Sequence, residues 1–405
     1  MGLAMLLPLS AKAYHQVFNP QVKTLQVVVN DDWQSPPVMK LNSGDVLNVS
    51  FDELSHQYHR YVCHLEHCET DWSPSEQIFE SDWLEGFNDN PIEDYENSLN
   101  TTVLYTHYQL QIPNDHCRLK LSGNYRLHIL DEEEDGQEVL CAEFRVVEPL
   151  MNVGLSVTTN TDVGLNTSMQ QVSMTVNYNA VSVSNPQEQI LTVIMQNGRE
   201  DNQRVGVRPD YVQPSRLQWD HNRQLIFDAG NEYHKFEVLA LNHTTLGLDR
   251  ISWDGESYHA YPFVSEPRRS YIYDEDANGA FYIRNSDYME SERTCDYVYV
   301  HYKLCPANDY ADAEVIVSGQ WATEAPETYV ASYDPTDHSY NAVIMQKQGY
   351  YSYHYLLRHP DGTTSPLPEE GSFFETENRY QAFVYYKGTG ERTWRLLGYQ
   401  QIVRR

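Results

Sequence analysis

Basic residues are in short supply. Lysine and arginine number 28 against 58 aspartates and glutamates, a formal net charge of −30. Nucleic acid is excluded on that ground, because gripping a phosphate backbone needs clustered cations. Adhesion to an anionic bilayer surface is disfavoured for the same reason. The acidic excess suits a solvated surface and leaves room for a basic protein partner or divalent cations. Long hydrophobic runs are also missing. Beyond the first residues nothing approaches the roughly 18 consecutive apolar residues of a membrane span, so direct membrane insertion is not expected. Cysteine is sparse, with Cys63, Cys68, Cys117, Cys141, Cys295 and Cys305 the six in 405 residues, too few for a disulfide scaffold. Cys117 with Cys141 could bridge neighbouring strands, and Cys295 with Cys305 could close a short excursion. Cys63 and Cys68 sit on opposite faces of one expected strand and should not pair.

Catalytic signatures are absent as well. There is no Gly-x-Ser-x-Gly elbow, no Walker loop, no dinucleotide fingerprint and no His-Glu-x-x-His. No catalytic residue and no cofactor is assigned, the chain reads as a non-enzyme, and a small-molecule ligand is not expected. Metal sites fail on geometry. In His64-Leu65-Glu66-His67-Cys68 the two histidines point to opposite faces of a strand and cannot share one zinc. Asp274-Glu275-Asp276-Ala277-Asn278-Gly279 begins like a calcium loop, but Asn285 stands where the twelfth-position Glu belongs. It reads as a hairpin turn using Asn-Gly, and no metal site is assigned.

Helical periodicity is missing, and tyrosine is what the chain has instead: 31 Tyr against 12 Phe. Hydrophobic content of 40% and charged content of 21% fit an ordinary globular chain rather than a disordered one. Tyr-rich, alternating segments argue an all-β fold. The stretch from Phe51 to Leu130 organises the rest. Tyr58 to Cys68 has no Gly or Pro and reads as a strand. Asp71-Trp72-Ser73-Pro74-Ser75 is a turn with local Ser and Asp hydrogen bonds. Glu76 to Asn100 is an acidic excursion without a period, holding Trp83, Phe87 and Tyr95, and is expected to be a long ordered loop. Val103 to Ile112 alternates, with a dry face of Leu104, Tyr108, Leu110 and Ile112 and a wet face of Tyr105, His107, Gln109 and Gln111. A decorated loop on a rigid sandwich is where recognition is expected. Trp83 is the leading candidate for partner contact, with Phe87 and Tyr95 beside it.

The ordered blocks Phe51-Asp52-Glu53-Leu54, Asp71-Trp72-Ser73-Pro74-Ser75, Gly86-Phe87, Ser98-Leu99-Asn100-Thr101, Tyr105-Thr106-His107-Tyr108 and Ser122-Gly123-Asn124-Tyr125 resemble the plug protein family of the type IX secretion system. The resemblance implies a periplasmic β-sandwich protein. It would associate with the giant outer-membrane translocon barrel and close its periplasmic mouth.

Further along, strands at short intervals with turn chemistry between them suggest consecutive immunoglobulin-like β-sandwich domains. Residues 1–13 read as a signal peptide ending in Ala11-Lys12-Ala13, which implies export. The expected division is then 14–148, 149–266 and 267–405, with Glu148-Pro149 the first boundary. Residues 313–360 look like an early-set immunoglobulin-like module of the glycogen-binding type. There the strand ending Gly319-Gln320-Trp321 and the Gly349-Tyr350-Tyr351-Ser352-Tyr353 strand face each other. The phenylalanine usual between Gly and Trp is missing. An envelope glycan-binding protein that uses this module is the alternative reading. Trp72 and Trp321 are expected in cores.

Overall fold

A computed structural model describes residues 15–404. The expected signal peptide over residues 1–13 lies outside the described residues. The architecture is all-β, in sandwich layers, as the alternation predicts. Among the described residues the α-helices are three single turns, Glu80–Trp83, Pro186–Gln189 and Ser291–Thr294. No helix there is long and apolar enough to cross a membrane.

The first unit packs two sheets face to face. One has the order His15–Val17, Gln137–Val147, Gly123–Asp131, Tyr61–Cys68 and Asn90–Pro91, with Val38–Lys40 parallel to Gln137–Val147. The other runs Val22–Val29, Leu47–Glu53, Thr106–Ile112 and Asp94–Asn97. Period-two burial explains the layer. Leu47, Val49 and Phe51 are fully buried, as are Tyr125, Leu127 and Ile129 on the facing sheet. Removing each such side chain from water stabilises the fold by roughly 1.5–3 kcal/mol.

Strand pairing beyond Glu148 does not follow a sequential division at 266. Ile190–Gln196 pairs antiparallel with Asn378–Tyr386, which pairs in turn with Arg395–Arg404. One core therefore joins Met151, Val172 and Trp219 to Tyr380, Val384 and Leu397. Conversely, His234–Glu237 pairs with Gly349–Arg358, and Tyr258–Pro262 lies parallel to Tyr297–Leu304. A third core then spans Phe236 to Leu367. The second unit is discontinuous in sequence and the third is inserted into it. Every strand in question carries the right local pattern; the partners are 40 residues away for Tyr258 with Val298, 119 for His234 with Tyr353 and 196 for Ile190 with Tyr386, and local alternation holds no record of that.

The first unit is joined to the others across two junctions. Against the third unit, Asp52 is buried with its carboxylate accepting from Lys347 Nζ at 2.6 Å, Tyr297 Oη at 2.6 Å and His107 Nδ1 at 2.7 Å. Lys347 also donates to the Glu292 carbonyl at 2.5 Å and lies 4.1 Å from the centroid of the Tyr105 ring. Tyr105 meets Tyr297 edge-on at 5.5 Å. The supposed wet face of residues 103–112 is thus dry at one end: Tyr105 and His107 are buried and Leu104 is exposed. The alternation is correct, but the solvent side is covered by the third unit. Against the second unit an apolar cluster of Val147, Val193, Met195, Phe383, Tyr385 and Leu396 is joined by buried polar contacts: Arg145 lies 4.4 Å from the Phe383 ring centroid and pairs with Glu200 at 3.3 Å, and Tyr385 Oη donates to Asn124 Oδ1 at 2.7 Å.

Candidate docking surface

The excursion from Glu76 to Asn100 is not a plain loop. It straps the open edges of both sheets of the first unit. Asn90–Pro91 pairs with Val62 and Cys63, and Asp94–Asn97 pairs with Thr106–Ile112. Just before the first of these, Asn88 uses its side chain as a strand would: its Oδ1 accepts from Leu65 N at 2.8 Å and its Nδ2 donates to the Leu65 carbonyl at 2.9 Å. Leu84–Gly86 pairs with Cys117–Leu119. Gly86 has φ +101°, and a Cβ there would sit 2.0 Å from the His116 carbonyl oxygen, so only glycine closes this ladder.

The three expected contact residues separate. Trp83 is 6% exposed and belongs to the core, edge-on to Tyr125 at 5.8 Å. It is corrected from surface anchor to core residue. The reason is local: the Glu80–Trp83 turn, held where Phe79 N donates to Asp82 Oδ2 at 2.9 Å, aims the indole inward. Phe87 is 75% exposed and Phe79 is 73% exposed. The two flank the contact of Asn88 Nδ2 with Glu80 Oε2 at 3.3 Å. Tyr95, on the outermost strand, is 43% exposed and leans on Tyr58 with ring centroids 4.6 Å apart. Carboxylates of Glu80, Glu85, Asp89, Glu93, Asp94 and Glu96 stand along the same stretch. Phe79 was not singled out from the sequence. Its position directly before an acidic helical turn was the signal available.

A cavity of about 1140 Å³ opens where the three units meet, with Arg145, Arg199, Glu200, Asp201, Tyr233 and His354 in its wall. Its charges are already paired: Arg145 with Glu200 at 3.3 Å and Arg199 with Asp201 at 2.5 Å. Burial, then the Arg199 charge, lowers the His354 pKa to about 3, and the ring stacks on Tyr233 at 4.4 Å. Thr364 Oγ1 donates to Asp201 Oδ2 at 2.7 Å in the same wall, and, against the effect of burial, the Arg199 charge holds that carboxylate well below the usual range, which makes it a poor base. His67 does approach Ser75, Nδ1 to Oγ at 2.8 Å. Both are buried, and burial lowers the His67 pKa to about 4, so the contact fixes the Trp72 turn. That turn forms as expected, with Ser73 N and Oγ donating to Asp71 at 3.0 and 2.6 Å. Trp72 is half-buried, with the Arg145 guanidinium 4.8 Å from its ring centroid.

Residues 274–279 form a turn, with Asn278 and Gly279 both at positive φ. Lys235 Nζ donates to Asp274 Oδ1 at 2.5 Å and to the Glu275 carbonyl at 2.5 Å, filling the place a cation would take. Asp276 accepts from the Asn278 and Tyr233 amides, and burial pushes its pKa up to about 7. His64 and His67 point to opposite faces, outward and inward. All six cysteines are free, so neither bridge considered from the sequence is present. Cys117 lies in the first core and Cys141 outside it, and a sheet separates them.

The aromatic element of the third unit is interior. Glu314–Ser318 and Gly349–Arg358 are hydrogen-bonded neighbours in one sheet. Trp321 is 8% exposed, stacks on Tyr302 at 6.1 Å and donates Nε1–H to the Ser352 carbonyl at 3.0 Å. A Cβ on Gly319 would lie 2.2 Å from that indole nitrogen, so the glycine makes room for the ring. Trp321 and Tyr351 are core and offer no sugar platform.

Against known proteins, residues 22–148 match the family described as type 9 secretion system plug protein 1st domain. A crystal structure of a hypothetical protein from Parabacteroides merdae is 32% identical, covering 97% of this chain and 100% of that one, with a TM-score of 0.93. The major pilin subunit BcpA of Bacillus cereus is 10% identical over 52% of this chain and 60% of that one. Its TM-score of 0.16 carries no argument. No curated protein matches the chain.

Proposed function

Because this chain belongs to the type IX secretion system plug protein family, we propose that it is the periplasmic plug of the translocon, a non-enzymatic subunit that closes the periplasmic mouth of the outer-membrane barrel. The observation that carries the reading is the plug-domain match over residues 22–148. The join between that domain and the rest of the chain supports it. A plug acts by filling space, so it must be stiff, and it needs no reactive group. The Asp52–Lys347 junction and the apolar cluster around Phe383 tie the first unit to both others. Lys23 pairs with Glu324 across the first of these junctions, and Trp33 stacks on Tyr282 at 5.3 Å. The partner-facing surface is the strap: Phe87, Phe79 and Tyr95, ringed by carboxylates, suit an interface with an aromatic centre and a charged rim toward a basic face.

The test is capture of the tagged full chain from the outer membrane of a host with this secretion system, after crosslinking. The expected result is a complex with the giant barrel. A chain recovered alone, with the barrel present in the same membranes, overturns the proposal.

A further inference from the structure

The outer face of the six-stranded sheet in the first unit carries a row of side chains outside the core. His64, His128 and Cys141 are successive register partners on three adjacent strands. Glu138 joins them through a β-bulge. Ile129 pairs with Leu140 but Leu130 pairs with Glu138, leaving Val139 as the extra residue. Val139 and Leu140 both enter the core, so Glu138 is placed on the outer face beside Cys141. Without the bulge, Val139 would stand there and the carboxylate would face inward. Bulges recur where a strand re-aims a functional side chain.

Three different donors result. One nitrogen, oxygen and sulfur atom of His128, Glu138 and Cys141 lie within 4.8 Å of one another. His128 Nδ1 is 2.5 Å from Glu138 Oε1. The other ring nitrogen, Nε2, faces Glu66 Oε2 at 3.6 Å. His128 and Glu138 are half-exposed, whereas Cys141 is buried in the sheet. The neighbouring Arg126 is engaged by Glu143 at 3.0 Å and leaves the cluster without a competing arginine.

We propose that His128, Cys141 and Glu138 bind a borderline divalent transition-metal ion, Zn²⁺ in the first instance. The thiol excludes the hard ions Ca²⁺ and Mg²⁺, which take oxygen ligands, and a mixed nitrogen, sulfur and oxygen set is what zinc accepts. Tetrahedral bonds of normal length put ligand atoms about 3.4–3.7 Å apart, which side-chain rotation of His128 and Glu138 reaches from the present spacing. Glu66 orients the imidazole through Nε2, as carboxylates do behind metal-bound histidines. Solvent fills the fourth position. Binding releases two protons to solvent, one from the Cys141 thiol and one from His128, whose two ring nitrogens both face carboxylates. The site stands apart from the plug reading, and neither depends on the other.

Titration of the full chain with Co²⁺, which reports a bound thiolate by a charge-transfer absorption band, tests the site. The band is expected in the parent protein and in Cys305→Ser, and it is lost in Cys141→Ser. Zn²⁺ added afterwards bleaches it. Glu138→Gln, on the half-exposed residue that folding needs least, weakens affinity at least tenfold. Glu66→Gln weakens it about 10- to 100-fold and keeps the band. A parent protein without the band, or a band that survives Cys141→Ser, overturns the proposal.

Discussion

The first unit meets its two neighbours with different balances of charge and apolar contact. Toward the third unit it presents Asp52, held by Lys347, His107 and Tyr297 in a setting with no access to water. Toward the second unit it presents Val147 against Phe383 and Leu396, with buried Arg145 stacked on Phe383 and paired with Glu200 at the edge of the cluster. The apolar junction tolerates small shifts, since hydrophobic contact is non-directional. The ionic one does not: two buried charges are stable together only with good geometry and full hydrogen bonding. The Asp52–Lys347 pair is therefore the stricter constraint on orientation, and the apolar cluster contributes adhesion.

Breaking the ionic junction from one side should have the largest effect. Lys347→Ala leaves the Asp52 carboxylate buried without its cation and is expected to destabilise by about 3–5 kcal/mol. Asp52→Asn combined with Lys347→Met should cost less than Lys347→Met alone, because it removes both charges. Denaturant midpoints of Lys347→Met, Asp52→Asn and the double variant check this. A double variant as unstable as the sum of its parts would remove the pairing from the account. Truncation in the apolar junction comes next. Leu396→Ala should cost about 2–4 kcal/mol through the cavity it leaves, read by the same unfolding curves. Its effect should add to that of Lys347→Ala, since the two junctions share no side chain.

Much of this contrast was hidden from the sequence, for physical reasons. The all-β fold, the alternation of residues 103–112, the Asp71–Ser75 turn and the core place of Trp321 follow from local pattern. The cover over Tyr105 and His107 does not, because it is supplied by Tyr297 and Lys347, about two hundred residues further on. Trp83 misleads for the opposite reason: its neighbours are acidic and aperiodic, and a single helical turn reverses its direction. The pairing of Ile190–Gln196 with Asn378–Tyr386 is equally non-local. The His128, Glu138 and Cys141 cluster needs both a register and a bulge, neither of which residue spacing along one strand shows.

Acid should separate the junctions further, by less than either truncation. Burial raises the Asp52 pKa, but the Lys347 charge and the His107 hydrogen bond outweigh it and hold the carboxyl below its usual range. A depressed folded value gives stability that is complete above the unfolded value of about 4 and is lost as pH falls through the folded one. The stability difference between the parent and the Asp52→Asn, Lys347→Met double variant should thus be constant near neutrality and shrink below about pH 4. Leu396→Ala should show no such change in its difference from the parent. A parent-minus-double difference that stays constant to the lowest pH at which both fold would show that Asp52 is not the acid-sensitive group.

The smallest effect on stability, and the sharpest on function, is expected at an exposed side chain of the strap. Phe87 is exposed on a strap whose backbone is already fixed by Asn88 and Gly86. Its ring adds little to the fold, so Phe87→Ala should move stability by no more than about 0.5 kcal/mol. If the strap is the face that meets the barrel, the same variant should weaken barrel capture at least tenfold, the loss of one aromatic anchor from the centre of an interface. Leu396→Ala should do the reverse, lowering stability while leaving capture by the folded fraction unchanged. Measuring both quantities on both variants places the partner surface: capture that survives Phe87→Ala, alone and combined with Phe79→Ala, moves it away from residues 76–100.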